Sequence, residues 1–280
     1  MPLPTFDRSK LIIKPRTERK HDLSIAQQLA LDDGDGLQFL FHFVSPSHHF
    51  RGCATAPLSG TLRMGTIPTI APFLLPELLP PLRHAHPGLK LFLREDLTAR
   101  LLERLRAGSL DIALIALPYE TGDLYTRELF KDEFWFVARE DDPAAREKEI
   151  ALRKLDTGAV LLLEEGHCLR DHAISACGPR RGAWETNVEA TSLPTLIQMV
   201  DGGLGVTLLP EITLKAGVLK GTKLIARPFA SPAPSRMLAL VARRTSPRCR
   251  DADLLAEFIL EQQRRGAKPG IPALRRSRTA

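Results

Sequence analysis

Short apolar runs alternate with helical spacings of apolar residues along residues 61–117. The sequence predicts strands at residues 62–67, 89–93 and 110–117, with helices at residues 72–86 and 98–107 between them. The last of these strands is an unbroken apolar run, which is typical of a parallel strand covered on both faces. The pattern therefore indicates a βαβαβ unit.

The same alternation returns in the second half of the chain. We predict strands at residues 159–163, 188–191 and 205–209, a helix that begins near His167, and a helix at residues 193–201. This repetition indicates a second α/β unit of similar organisation.

Connecting segments join the two units. Residues 128–138 are predicted to form one or two strands, and Asp141-Asp142-Pro143 a hinge. A strand at residues 237–242 and an amphipathic helix at residues 251–263 are expected to return to the first unit. The sequence thus predicts an α/β fold of two lobes, lobe I at about residues 61–135 and 236–263 and lobe II at about residues 143–230. Strand ends and helix starts should line the cleft between them.

The two ends of the chain depart from this pattern. Residues 1–56 carry no consistent period of apolar residues, and we expect a largely irregular segment there. The formal charge of the chain is +6, but residues 61–260 carry 26 basic and 26 acidic side chains. The excess of basic side chains lies mostly at the C-terminal end, so residues 266–280 are predicted to form a basic, disordered tail. The neutral core gives no electrostatic sign of nucleic-acid binding.

Membrane and secretion signals are missing from the sequence. No apolar run approaches the roughly 20 residues of a membrane span, and the first 25 residues lack the apolar core of a secretory signal. We therefore expect a cytoplasmic protein that does not contact a membrane.

Two cysteines lie nine residues apart in the stretch GHCLRDHAISACG, which is predicted to be one helix. A helix separates Cys168 and Cys177 by roughly 13.5 Å and turns them to opposite faces, whereas a disulfide needs Cα atoms within about 7 Å. The pair can therefore be bonded only if the helix unwinds. Two other interpretations stay open: both thiols are small buried hydrophobic groups, or Cys168 and His172 are metal ligands.

Cys168 is the expected reactive thiol. It lies at the start of the predicted helix, where unpaired N–H groups favour an anion, and His167, Arg170 and His172 can add positive charge. We therefore expect a stabilised thiolate. Cys177 lies in the last turn, before Gly178-Pro179, and is expected to be the resolving thiol.

Polar residues at other strand ends and helix starts are candidates for binding a small polar molecule. Thr69 follows the first predicted strand and Thr98 opens the second predicted helix, although either can equally be an ordinary helix cap. The sequence contains no G-x-S-x-G, H-E-x-x-H or C-x-x-C motif, so hydrolase, zinc protease and thioredoxin chemistry lack their central residues. No metal or cofactor is predicted.

From about residue 57 to residue 263 the chain resembles the regulatory domain of LysR-type transcriptional regulators. The stretches GHCLRDHAISAC and GTIPTIAPFLLP are similar to the peroxide-sensing OxyR branch of that family. The resemblance implies a two-lobed, periplasmic-binding-protein-like domain that acts as a homodimer or homotetramer. It also implies that a disulfide changes the packing between subunits.

The resemblance assigns roles to individual residues. Cys168 matches the peroxidatic cysteine, which forms a sulfenic acid, and Cys177 matches the cysteine that then forms the disulfide. Further positions match those that hold hydrogen peroxide or its water, or that neighbour the thiol: Thr69, Thr98, His167, Arg170 and Asp171. A thiol reductant such as glutaredoxin or thioredoxin is the implied partner that resets the pair.

The N-terminal segment of the chain departs from the family pattern. Family members begin with a winged helix-turn-helix, and residues 1–56 contain no amphipathic three-helix pattern and no basic recognition helix. A truncated or frame-shifted gene is the favoured explanation, so promoter DNA is expected as a partner only if a helix-turn-helix is present. Two alternative functions stay open: a LysR-type domain that binds a small anionic metabolite, and a thiol peroxidase.

Overall fold

A computed structural model of the chain describes residues 57–177 and 189–266. The irregular segment expected at residues 1–56 lies outside these ranges, as does the basic tail beyond Gly266.

Lobe I contains the predicted βαβαβ unit. Its elements are β1 Gly60–Thr66, α1 Ala71–Ala85, β2 Leu89–Glu95, α2 Thr98–Arg106 and β3 Ile112–Leu117. Strand β1 pairs in parallel with both β2 and β3. The apolar run of β3 is buried from Ile112 to Ala116, because helices cover the sheet on both faces. Helix α2 buries Leu101, Leu102 and Leu105, the face that its apolar spacing predicts.

The chain returns to lobe I at its end. Strand β9 Ser235–Ala242 pairs antiparallel with β3, and helix α6 Cys249–Gly266 follows it. Both were predicted, although α6 begins two residues earlier and ends three residues later than its apolar spacing indicates.

One long strand, β4 Tyr125–Arg139, passes from one lobe to the other. Its first part pairs with β9 as far as Glu133, and its second part pairs with β7 and β8 from Phe134 onwards. The crossing therefore occurs inside β4. The hinge predicted at Asp141-Asp142-Pro143 is wrong, because these residues already belong to lobe II, where Asp142 caps a 3₁₀ turn by accepting from the Ala144 N–H at 2.8 Å.

Lobe II repeats the arrangement of lobe I with shorter strands. Its elements are β5 Leu162–Leu163, α3 Cys168–Cys177, β6 Glu189–Ala190, α4 Leu193–Asp201, β7 Thr207–Pro210, α5 Glu211–Lys215 and β8 Leu224–Pro228. Strands β5 and β6 are parallel, and β7 is antiparallel to β4, as β3 is to β9. The strand predicted at residues 159–163 is shorter than expected, because residues 157–159 form a 3₁₀ turn and Val160 makes only an isolated bridge to Val206.

Two elements of lobe II escaped the sequence prediction. Helix α5 has only five residues, too few to reveal a helical period, and β8 ends in Pro228. The segment after β8 returns to lobe I beside β4, where the Phe134 N–H donates to the Pro234 carbonyl at 2.8 Å.

Each lobe has its own apolar core, and helix α3 contributes to both. Leu169 and Ala173 of this helix pack in the lobe II core, whereas Cys168 packs in the lobe I core. The helix that carries the two cysteines therefore lies at the junction of the lobes.

Candidate redox site at the junction of the two lobes

Gly166 positions the start of the cysteine helix against lobe I. Its φ of 93° is in the left-handed region that favours glycine, and a Cβ atom there would lie 3.2 Å from Leu97 Cδ1. Leu97 immediately precedes helix α2. Any larger residue at this position would therefore push the start of α3 away from the start of α2.

Cys168 is buried, with 4% of its surface exposed. Burial raises the pKa of its thiol, the positive charge of Arg236 and the Thr98 hydroxyl act in the opposite direction, and Asp171 raises it further. The thiolate expected from the helix start is therefore not the favoured resting form. The loss of hydration in the lobe I core outweighs the helix dipole, whose effect in water is only about 0.3–1 kcal/mol.

Arg236 is the residue of this site that sequence reasoning missed. Its fully buried guanidinium forms an ion pair with Asp132, with 3.0 Å between Nε and Oδ2. Two further groups of the guanidinium donate to Thr69, to Oγ1 at 2.8 Å and to the carbonyl oxygen at 3.1 Å. Asp132 also accepts from the Ile212 N–H at 3.1 Å. This network connects strands β4 and β9 to the starts of α1 and α5, and it places a positive charge near the Cys168 sulfur.

The threonines of the site differ in how their hydroxyl groups are used. Thr69 Oγ1 is taken by Arg236, so this side chain orients the guanidinium. Thr98 is also buried; its hydroxyl lies close enough to the Cys168 thiol to lower the pKa of that thiol, and it has no other hydrogen-bond partner among the described residues. Thr66, at the end of β1, has an equally unpaired buried hydroxyl within the same described part of the chain. Buried hydroxyls without partners are uncommon, and they fit a small polar molecule or water at this edge of the sheet.

His167, Arg170 and Asp171 have separate positions around the start of α3. His167 is buried, with its Nε2 3.8 Å from Glu164 Oε1. Arg170 points into lobe II, where it donates to the Leu163 carbonyl at 3.1 Å and to Glu189 at 2.6 Å. Asp171 is exposed. Of the three, Asp171 acts on Cys168 through its charge, whereas Arg170 fixes α3 to the small sheet of β5 and β6.

Two residues of lobe I and α3 complete the surroundings of the thiol. His172 lies one turn after Cys168 and bonds through Nε2 to the Pro118 carbonyl, at 3.0 Å. Tyr119 lies beside Pro118, and its pKa is raised by burial and by the nearby Cys168 and Asp171. Residues 57–177 and 189–266 contain no group of three or more His, Cys, Asp or Glu side chains arranged to hold a metal ion.

The backbone of Cys177 ends helix α3, while its side chain lies outside the described part of the structure. The helix between the two cysteines is continuous, so their Cα atoms are roughly 13.5 Å apart along the axis. A bond between the two sulfurs requires this helix to unwind.

The family model of the LysR substrate binding domain matches residues 55–264. The chain belongs to the LysR family. The predicted α/β fold, with two lobes like those of periplasmic binding proteins, is thereby confirmed for this LysR domain.

Curated relatives of this LysR domain are transcriptional regulators. The regulator EstR of Acinetobacter baylyi is 40% identical over 205 residues, which cover 72% of this chain and 67% of EstR. The regulator OxyR of Escherichia coli is 37% identical over 202 residues, which cover 72% of this chain and 66% of OxyR. The chain thus spans about two thirds of the length of these relatives.

Solved structures of OxyR regulatory domains superimpose on this LysR domain. The reduced OxyR2 domain of Vibrio vulnificus is 38% identical with a TM-score of 0.69, covering 74% of this chain and 97% of that one. A cysteine-to-serine mutant of Corynebacterium glutamicum OxyR with hydrogen peroxide bound is 31% identical with a TM-score of 0.71. The match covers 76% of this chain and 67% of that one. The resemblance to the OxyR branch is therefore confirmed in sequence and in structure. None of the described helices is long and apolar enough to cross a membrane.

Proposed function

We propose that this LysR-type regulator senses hydrogen peroxide through a reversible Cys168–Cys177 disulfide. One observation carries the proposal: a thiol buried at the junction of the lobes lies near a buried guanidinium and an unpaired hydroxyl. This thiol also opens a helix that holds a second cysteine out of reach. Close relatives named as hydrogen peroxide-inducible gene activators support it.

Burial of the thiol suits a small, uncharged oxidant. Hydrogen peroxide is little larger than water and both donates and accepts hydrogen bonds, so Thr98 and His167 are proposed to position it. Thr69, whose oxygen accepts from Arg236, is proposed to assist by donating its hydroxyl hydrogen, and Asp171 by its charge. Arg170 is proposed to act by anchoring α3 to lobe II. Bulky oxidants would be excluded from Cys168 in the reduced chain, because this residue is only 4% exposed.

The first chemical step oxidises Cys168. Its sulfur attacks one oxygen of hydrogen peroxide, the O–O bond breaks and an S–O bond forms. The sulfur loses two electrons to the departing oxygen, which takes the thiol proton and leaves as water. The positive charge of Arg236 stabilises the thiolate character that develops during the attack.

The second step forms the disulfide. The Cys177 sulfur attacks the sulfenic sulfur, the S–S bond forms, and the hydroxyl group leaves as water with the Cys177 proton. Because Cys168 is packed in the lobe I core and Leu169 in the lobe II core, unwinding α3 changes the contacts of both lobes. We propose that this change is passed on in a homodimer or homotetramer and reversed by a thiol reductant such as glutaredoxin or thioredoxin.

The regulatory output depends on parts of the protein beyond the described lobes. Promoter binding is proposed only for a polypeptide that carries a helix-turn-helix, in the cytoplasm, and the domain is proposed to be a sensor and not an enzyme. Continuous consumption of hydrogen peroxide in the presence of thioredoxin and its reductase would contradict the last point.

Trapping of the intermediate tests the proposal. In the Cys177→Ser variant we expect stoichiometric hydrogen peroxide to leave a sulfenic acid on Cys168, which dimedone captures and mass spectrometry detects. In the unaltered chain we expect the same treatment to link the peptides that contain Cys168 and Cys177. An unmodified Cys168 in both proteins would overturn the proposal.

A second candidate function is the binding of a small anionic metabolite. A cleft of about 730 Å³ beside the segment after β3 is lined by two cations, Lys131 and Arg236, and by two carboxylates, Glu120 and Glu128, so an anion would have to bind on the side of Lys131. Calorimetry with small aliphatic and aromatic carboxylates tests this alternative. Saturable binding, together with cysteines that do not respond to peroxide, would favour it over the sensor.

A further inference from the structure

His172 joins the cysteine helix to lobe I by a single hydrogen bond. Its ring is 6% exposed, and Nε2 lies 3.0 Å from the carbonyl oxygen of Pro118, which follows β3. A carbonyl oxygen only accepts, so Nε2 carries a proton and donates it. The contact therefore links α3, an element of lobe II, to the end of a central strand of lobe I.

The other ring nitrogen has no partner in the described part of the chain. His172 Nδ1 is buried and makes no hydrogen bond to any described residue, so in the neutral ring it is an acceptor without a donor. A proton there would be a buried charge without an acceptor. The site is thus built for the neutral imidazole.

Groups around the ring shift the pKa of His172 in opposite directions. Burial lowers the pKa of His172, the Pro118 carbonyl raises it, Arg236 on β9 lowers it, and Asp171 on α3 raises it. Further titratable residues nearby in the chain include Cys168, one turn earlier on α3, and Tyr119, which follows Pro118. The net effect favours the uncharged ring, because the loss of hydration and the guanidinium act together.

His172 lies between the two cysteines, four residues after Cys168 and five before Cys177. The segment must unwind for the sulfurs to meet, and residues in the middle of the resulting loop lie farthest from the new bond. We propose that His172 is a positioning residue that latches the reduced helix to lobe I, and that its release on disulfide formation takes up a proton, so that acidification favours the oxidised form. This inference rests on the proposed function.

The sign of the effect follows from the proton balance. With dithiothreitol as the redox partner, two thiols of the chain and one oxidised dithiothreitol give one disulfide and one reduced dithiothreitol, and the thiol protons move with the electrons. This exchange takes up and releases no net proton at roughly pH 5–7.5, where thiols stay largely protonated, so its equilibrium does not depend on pH there. A released histidine adds one proton from solvent below its ordinary pKa of about 6.5. The ratio of oxidised to reduced chain should then rise by up to about tenfold per pH unit as the pH falls below that value.

Equilibration of the full chain with mixtures of reduced and oxidised dithiothreitol between pH 5 and 7.5 tests the latch. Acid quenching, alkylation and mass spectrometry measure the Cys168–Cys177 disulfide. We expect the ratio of oxidised to reduced chain to be flat above pH 7 and to rise several-fold by pH 5.5. In the His172→Gln variant, whose amide can still donate to Pro118, we expect no rise.

The matched control is His84→Gln, which removes an exposed histidine of α1 and should keep the rise. A disulfide that forms with the same pH dependence in the unaltered chain and in His172→Gln would overturn the latch and leave the sensor in place. Failure of hydrogen peroxide to form the disulfide at any pH would overturn both.

A second measurement needs no variant. Nuclear magnetic resonance titration of the His172 ring should give a lower pKa in the reduced chain than in the oxidised chain. Equal values in the two states would contradict the proton uptake.

Discussion

Two of the described helices begin with a cysteine, and the two thiols have different surroundings. Cys168 opens α3 inside the lobe I core, near the positive charge of Arg236 and the Thr98 hydroxyl. Cys249 opens α6 in a half-buried position, where burial raises its pKa, Asp253 raises it further, and Arg244 acts in the opposite direction.

A helix start does not by itself define a reactive thiol. Both cysteines have the same partial positive charge of a helix terminus, and both have a raised pKa. What distinguishes Cys168 is a buried cation, an unpaired hydroxyl and a partner thiol on the same helix. Each thiol has a carboxylate nearby that disfavours its thiolate, but the cation near Cys249 is the exposed Arg244.

The largest effect is expected from removing the sulfur atoms themselves. Cys168→Ser should abolish formation of the peroxide-dependent disulfide, because serine cannot form a sulfenic acid. Cys249→Ser should leave that reaction unchanged. Peptide mass spectrometry after peroxide treatment measures both. A disulfide response lost in Cys249→Ser and kept in Cys168→Ser would reverse the comparison.

A large effect on stability is expected at Arg236. Arg236→Met leaves the Asp132 carboxylate buried without its partner and should lower the free energy of unfolding by about 3–5 kcal/mol. It should also raise the pKa of Cys168, which alkylation at a series of pH values measures in whatever fraction stays folded.

The control for that change is Arg244→Met, at the cation near Cys249. Arg244 is exposed, so its removal should alter the free energy of unfolding by less than about 0.5 kcal/mol in urea. Equal losses of stability in the two variants would contradict the structural role of the buried network.

A smaller effect is expected at Thr98. Because its Oγ1 has no partner beyond the weakly accepting Cys168 thiol among the described residues, Thr98→Val should barely change the urea unfolding midpoint. It should slow sulfenic acid formation on Cys168 by about fivefold, the equivalent of one hydrogen bond of roughly 1 kcal/mol.

Thr98→Ser retains the hydroxyl and should restore most of the rate. Stopped-flow measurement with dimedone capture distinguishes the variants. An unchanged rate of sulfenic acid formation in Thr98→Val would contradict a role of this hydroxyl in the reaction.

The sequence predicted lobe I more completely than lobe II, for physical reasons. Strand β3 is buried on both faces, so its whole length is apolar and easily recognised. Strands β5 and β6 have two residues each, and helix α5 has five, so none of them contains a full period of its pattern. The crossing inside β4 was hidden because one strand changes its pairing partners without a turn.

The candidate site was only partly predictable. The cysteine spacing is local and could be read directly, as could the helix between Cys168 and Cys177. Arg236 could not, because its partner Asp132 lies 104 residues away in sequence and nothing near either residue marks the pair. The raised pKa of Cys168 was also missed, since its burial depends on lobe I packing against a helix of lobe II.

Competition between the two helix-start cysteines tests the central claim most directly. The full reduced chain is treated with less than one equivalent of hydrogen peroxide, alkylated at intervals, and digested for mass spectrometry. We expect Cys168 to lose its alkylation first and to appear bonded to Cys177 while Cys249 stays a free thiol. Oxidation of Cys168 no faster than that of Cys249 would contradict the account.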